Sequence, residues 1–378
     1  MGILSGVFNS IQKWLLPVLE DEIGELTGKQ KEFIRVVEAI DLEKYIWEFR
    51  WEGVGRKRKS RLSLLKAFVA KSVFGYQNTK IMIENVKGNP TIRRLCGWER
   101  ECDVPSGPTF SRAFSEFAES ELPQKIHEGI VKKYLGEKLV GHISRDSTAI
   151  DAREKAIKKE KPQKEACKKG RPKKGEKKPV ELRRLELQPF RTLEENLSDL
   201  PKPCDYGAKY DSNGNKMTWR GYKLHIDTMD GDIPISAHLT SASVHDSQVA
   251  IPLMQMSHER VVSLYDLMDS AYDAPEIREF SSKLNHVAII DYNKRRGEAK
   301  EFEPARKLRY NERSAAERVN SNLKDNYGGG NVRMQGHKKV FAHLMFGIIV
   351  ITVNQLYNPP WRTMRRFELK YKFGRKTF

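Results

Sequence analysis

Cysteine is scarce in this sequence: Cys96, Cys102, Cys167 and Cys204 are the only four in 378 residues. None forms a C-x-x-C pair, and no His–Cys set has zinc-ligand spacing. A zinc finger and a disulfide framework are excluded, and a reducing, cytoplasmic setting is expected. Signal-peptide features are also scarce in the opening residues, and no cleavable leader is expected. The opening MGILSGVFNSIQKWLLPVLE lacks a basic start and a small-residue cleavage site, and Glu20, Asp21 and Glu22 follow. It reads as an amphipathic helix rather than a signal peptide. Long apolar runs are absent. The most apolar stretch, Val340 to Leu356, contains His343, Asn354 and Gln355. Its unbroken part is about ten residues, against the roughly 20 that a bilayer requires. A buried core helix is expected there, with no membrane partner. Acids are outnumbered: 68 Lys and Arg against 50 Asp and Glu give a net charge of +18. Such a field attracts polyanions, of which nucleic acid is the commonest large one. The plainer alternative is a soluble basic protein.

No internal repeat is present, and the length suits two to three compact units. Residues 1–135 carry helical spacing, as in KEFIRVVEAIDLEKYIWEF and RLSLLKAFVAKSVFG. Pro105, Ser106 and Pro108 precede TFSRAFSEFAES, a turn followed by an amphipathic helix. With the basic cluster Gly55 to Arg61, this region is compatible with a helix-turn-helix DNA reader or with an ordinary helical bundle. A strand, HISRDSTAI, is expected within 136–152. Within the next segment, 153–205, residues 153–184 hold 15 Lys or Arg and 5 Asp or Glu, a net +10. Self-repelling, apolar-poor sequence of this kind is expected to be disordered when free.

From 206 to 360 strand-like runs return. WRGYKLHIDTM and IPISAHLTSAS flank Asp230-Gly231-Asp232 as a hairpin. SQVAIPLMQM and PEIREFSSKL read as helices, VVSLYDLMDS and HVAIID as strands. A helix from Asn311 through Lys324 is stopped by Gly328-Gly329-Gly330, and a last helix covers about 340–357. Early strands followed by alternating strands and helices predict an α/β mixed sheet covered by helices, with a ribonuclease-H-like layout and an α-helical N-terminal domain.

Isolated acids on strands are conspicuous in so basic a chain. Asp146 lies mid-strand beside Arg145, where a carboxylate is costly unless it meets a cation. Asp269 ends an apolar strand, where open α/β sheets place ligands; it equally suits a cap for the next helix. Tyr310, Arg313, Glu317 and Lys324 have the spacing Y-x2-R-x3-E-x6-K. Helical steps of this kind fall near one stripe, which is also what an ordinary solvated face with an i,i+4 ion pair would show. Asp246, with His245 beside it, is the strongest rival to Asp269 for the second metal position; Asp269 is preferred because it ends a long apolar strand, and Asp246 and His245 are candidates for a supporting role. Asp151 falls on the opposite strand face from Asp146. Asp266 and Asp273 are expected at the surface or in turns.

These motifs resemble the DDE transposases of prokaryotic insertion sequences that carry a Tyr-Arg-Glu-Lys signature. The resemblance spans about 25–360. It rests on VPSGPTFSRAF, RDSTAI, WRGYKLHI, SASVHDSQ, LMDSAYDAPE and YNERSAAERVNSNLKDNYGGG. It implies a ribonuclease-H-like catalytic core in which Asp146, Asp269 and Glu317 bind Mg²⁺ or Mn²⁺, with two ions expected. Paired metal ions suit phosphodiester chemistry because they serve both the attacking and the leaving oxygen. Tyr310, Arg313 and Lys324 are implied to contact DNA near the cut end. Cut-and-paste transposition follows as the implied activity, by hydrolysis at element ends and strand transfer into target DNA. A homodimer on double-stranded DNA and a nucleoid-associated location are implied with it. The sequence departs from some relatives, which place a large β insertion between the second Asp and the Glu. Here that interval is 317 − 269 = 48 residues, which argues against hairpin formation during excision. A nuclease without strand transfer, or an inactive DNA-binding protein, are the competing readings.

The basic segment holds KKGRPKKG, which looks like an AT-hook. Arg171 would enter a narrow A·T-rich minor groove, with Lys169 and Lys173 neutralising phosphates. A nonspecific basic linker is the alternative. Residues 361–378 form a basic tail with seven Lys or Arg and one Glu.

Overall fold

The helical N-terminal region follows its capping residues. In the computed structural model, residues 11–51, 53, 55, 57–157, 182–210, 214–293 and 301–357 are described. After α1 (Leu16–Ile23), a Thr27/Gln30 capping box opens α2 (Gly28–Ile40). Ser60 caps α3 (Arg61–Val73), Asn78 caps α4 (Thr79–Gly88), and Asn89 with Pro90 starts α5 (Pro90–Leu95). Each side chain takes up an N–H that the first helical turn leaves without a partner. Two more helices follow, α6 (Gly107–Glu119) and α7 (Leu122–Leu135).

Thereafter the chain builds one six-stranded sheet. Its strands are β1 (Leu139–Asp151), β2 (Asp205–Tyr210), β3 (Lys216–Met229), β4 (Ile233–Ser241), β5 (Val262–Met268) and β6 (Val287–Ile290). β3 pairs antiparallel with β1, β2 and β4; β1, β5 and β6 run parallel. The sheet is therefore mixed. Helices α8 (Leu193–Asp199), α9 (Ser247–His258), α10 (Pro275–Lys283), α11 (Pro304–Tyr310), α12 (Ser314–Asn326) and α13 (His337–Tyr357) complete the chain. The arrangement agrees with a ribonuclease-H-like core preceded by helices. Gly221 marks where β3 exchanges partners, since both Asp205 of β2 and Asp151 of β1 register with it. Its φ is +156°, and a Cβ there would stand 2.1 Å from the Ile150 carbonyl oxygen. Only glycine fits that approach.

The helical region and the sheet do not have separate interiors. One continuous apolar cluster includes Phe68, Phe110 and Phe117 from the helices, Leu224 and Ile226 from β3, and most of α13. Phe68 contacts Phe114 at 5.0 Å and Phe346 of α13 at 6.0 Å between ring centroids. α13 is long and apolar enough to cross a membrane, yet 83% of its apolar window is buried within the protein. It crosses α12 at Gly347, where an added Cβ would meet the Tyr327 carbonyl oxygen at 2.7 Å.

Three expectations need correction. The segment 153–205 does not behave as one disordered insertion, because its last part is folded. There a helical turn at Arg184–Leu187 and α8 lie against α9, and Asn196 donates to Gln188 O and Gln255 Oε1. Asp266 is not a surface residue; it is 1% exposed and ion-paired. The helix expected from Asn311 begins earlier, at Pro304, and is interrupted by a 3₁₀ turn at Asn311–Arg313. Arg171, Lys169, Lys173 and the tail 361–378 lie outside the described residues.

Candidate active site

Strand alternation sends neighbours on β1 to opposite faces. Arg145 and Ser147 take one face, Ser144 and Asp146 the other. On the first face Arg145 is fully buried and its guanidinium reaches Asp227 Oδ2 at 2.6 Å, directly across the β1–β3 ladder. Asp266 of β5 lies 4.0 Å from the same group. Asp227 also accepts from Ser257, and Asp266 accepts from Ser281 and contacts His286. Burial would lower the guanidinium's affinity for its proton, but the two carboxylates outweigh it and raise its pKa. The cation nearest Asp146 in sequence is thus engaged on the opposite face of the strand.

The other face is less balanced. Ser144 pairs in register with Leu267, so two residues further along Asp146 comes abreast of Asp269, just past the end of β5. Asp269 caps the 3₁₀ turn Ser270–Tyr272, accepting from Ala271 N at 2.9 Å. Both carboxylates are half-buried. Burial, with Asp269 adding repulsion, pushes the Asp146 pKa up to about 6. Burial, with Asp246 adding repulsion, likewise raises that of Asp269.

Over this face lies α12, fastened by Ser144 Oγ donating to Arg313 O at 2.5 Å and by Asn320 Nδ2 donating to Asp146 Oδ2 at 3.0 Å. Glu317, one turn before Asn320, points to solvent, and its carboxylate is 2.5 Å from Arg313. Arg313 lies over the Tyr310 ring, 5.8 Å from its centroid. The Tyr310 hydroxyl is held up to about 12, by burial first and then by Asp291 and Asp269. Lys324, half-buried two turns further on, has its pKa lowered by burial and by Lys209.

Asp146 and Asp269 are therefore brought together, with Arg313, Tyr310 and Lys324 around them. Glu317 is on the same helix face but is turned to its arginine. Among the described residues no three acids, histidines or cysteines converge closely enough to hold a metal ion. The donor chemistry still fits a hard cation: two half-buried carboxylates with raised pKa values repel each other, and a divalent ion would relieve that. Asp246 is fixed differently, at 2.9 Å from Ser147 Oγ and 3.0 Å from Lys223 Nζ. His225 and Lys223 hold its pKa low despite burial. His245 is exposed on the rim of a polar recess of about 540 Å³, lined also by Arg183, Ser247, Ala271 and Asp273. Sequence reasoning missed Asn320 and the Lys223–Asp246 pair. Only the i,i+3 spacing from Glu317 to Asn320 could have signalled the former.

Residues 142–353, more than half of the chain, match the family model described as the transposase DDE domain. Residues 22–116 match a second one, described as a transposase domain. No curated protein and no solved structure matches the chain.

Proposed function

The chain belongs to the DDE transposases, a family of metal-dependent DNA-cleaving enzymes, and from that premise we propose that Asp146, Asp269 and Glu317 are its catalytic acids. They would hold Mg²⁺ or Mn²⁺, two ions in the working site. When bound, such ions supply charge neutralisation at the attacking and leaving oxygens of a phosphodiester. The carrying observation is the juxtaposition of Asp146 with Asp269 beneath the helix that bears Glu317.

The chain's own groups supply the rest. Arg313 presents a fork suited to phosphate oxygens and Lys324 a point charge. Tyr310, raised to about 12, stays protonated at neutral pH and can donate to a phosphate. A phosphate offered to Arg313 competes with Glu317 for the same guanidinium, so DNA docking would free Glu317 to turn toward Asp146 and Asp269. Asn320 holds Asp146 in one orientation throughout. A cleft of about 600 Å³ between α4, α6 and the segment before α13, lined by Lys80, Lys87, Arg333 and Lys339 together with Glu84, suits the DNA backbone. The reaction proposed is hydrolysis at element ends followed by transfer of the freed 3′-hydroxyl into target DNA, by a homodimer in the cytoplasm. Asp246, tied to Lys223, supports the site by its charge. Arg171 with Lys169 and Lys173 would add minor-groove contacts.

The test is cleavage and joining of DNA carrying the encoding element's ends, comparing wild type with Glu317→Gln. The wild type is expected to cut and join with Mg²⁺. The variant is expected to bind DNA yet lose both steps by roughly a thousandfold, about 4 kcal/mol of transition-state stabilisation. Full activity in the variant would overturn the assignment of Glu317. Cutting by the wild type without joining would instead favour a nuclease.

A further inference from the structure

Asn320 sits in the middle of α12, where asparagine is a poor helix former. Its neighbours on the buried face are Ala316, Val319 and Leu323, and it is itself only 5% exposed. Its Nδ2 donates to Asp146 Oδ2 at 3.0 Å. An ionised carboxylate can only accept, so the amide must offer it the nitrogen and turn its own oxygen away. That oxygen, Oδ1, is completely buried and has no hydrogen-bond partner. A buried carbonyl normally finds a donor, because leaving it unpaired costs stability. Leucine would fill a similar volume with better helix propensity and no orphaned oxygen. Neither packing nor helix formation explains the amide; its contact with Asp146 does.

The contact gives the two oxygens of Asp146 different partners. Oδ2 is held by the protein, which leaves Oδ1 for a ligand. Asp269 is treated in the same way by another donor: its Oδ1 accepts from Ala271 N at 2.9 Å, which leaves Oδ2. Each acid of the pair therefore keeps one oxygen for the fold and one for a cation. Hard cations differ in how they use such an acid. Ca²⁺ takes roughly six to eight oxygens in a flexible shell and accepts both oxygens of one carboxylate. Mg²⁺ demands a tight octahedron, keeps several waters and takes few carboxylates. We propose that Asn320 is a specificity-determining positioning residue: by holding Oδ2 of Asp146 it limits that acid to one oxygen on the cation, and so favours Mg²⁺ over Ca²⁺. This rests on the assignment of Asp146 as a metal-binding acid.

The experiment loads the full chain with Mn²⁺, reads free Mn²⁺ by electron paramagnetic resonance, and displaces the bound ion with Mg²⁺ or Ca²⁺, with thermal melts alongside. Wild type is compared with Asn320→Leu, Asn320→Ala and Asp146→Asn. Freeing Oδ2 lets Asp146 offer both oxygens, so the Asn320 variants should raise the ratio of Ca²⁺ to Mg²⁺ affinity about tenfold. An amide that served only the fold would affect both ions together and leave the ratio alone. Either Asn320 variant with a cooperative melt reports it. An unchanged ratio there, with Asp146→Asn impaired in Mn²⁺ binding, would overturn the role of Asn320 alone. No Mn²⁺ binding by the wild type, or undiminished binding by Asp146→Asn, would overturn the acid assignment and this role together. Loss of a cooperative melt in both Asn320 variants would also overturn it, because the amide would then be holding the fold rather than the acid.

Discussion

Arg145 and Asp146 are adjacent on β1, yet their charges are treated in opposite ways. Arg145 faces two carboxylates, a histidine and two serines in a closed set with no access to solvent. Asp146 faces another acid across the parallel ladder, and the cations near it are half-open and shared. One face closes its charge within the fold around a buried cation, although Arg145 Nε and Asp227 Oδ1 keep no partner and burial still raises the Asp227 pKa. The other is left with charge that only something from outside can satisfy. Strong charge in this protein is therefore not itself a mark of function; incomplete compensation is.

The largest effect that would break this contrast is Arg145→Met. It leaves Asp227 and Asp266 buried without their cation, and should cost about 3–5 kcal/mol of stability, read by urea unfolding. Acid should open the protected interior more gradually. Burial pushes His127, His238 and His343 down to about 3 and His225 to about 4, from an ordinary 6.5. Their folded pKa values lie below the unfolded ones, so the unfolded chain binds the extra protons. Stability is complete above pH 6.5 and declines as pH falls toward 4. Urea midpoints measured from pH 7 to 4 would show it; a flat profile would contradict the burial.

On the open face the sign reverses. The Asp146 pKa is raised from 3.8 to about 6. Its contribution is present below pH 3.8 and lost as pH rises through 6. In chelator at pH 7, Asp146→Asn should therefore stabilise the fold by about 1–2 kcal/mol while abolishing cleavage, and the gain should vanish by pH 4. Destabilisation at pH 7 would place Asp146 with the structural charges. The smallest effect expected is for Lys324→Ala. End-binding should weaken about tenfold, with the salt dependence of log K shallower by about one phosphate contact. An unchanged salt slope would remove Lys324 from the DNA path.

Much of this was legible in the sequence. The alternating runs gave β1, β3 and β4, the apolar runs gave β5 and β6, and the Asp230-Gly231-Asp232 turn gave the hairpin. Residues Tyr310 to Lys324 announced a helix with one polar stripe. What escaped was set by pairing across the sheet. Asp266 looks like any acid near a strand end until β5 is laid against β1, which puts it beside Arg145. β2 is short, and DYGAKY has too little apolar content to stand out before β3 provides its partner. The charge count over 153–184 hid the folded part beyond it, because α8 is held by contacts to α9 rather than by its own composition. The approach of Asp146 to Asp269 is not in the periodicity at all.

The common core has a consequence for how the chain is made. α13 fills the space between α3, α6, α7 and β4, yet it begins 264 residues after α3 ends (337 − 73). At synthesis rates of about 5–20 residues per second, the early helices wait roughly 13–50 seconds for the segment that covers them. Contacts this distant in sequence also make folding slow. On the ribosome, the nascent helices would hold Phe68, Phe110 and Phe117 open to water or chaperones until α13 has been made. Cleavage competence would thus arrive only with α13, late enough that a chain interrupted before it yields apolar helices and no nuclease.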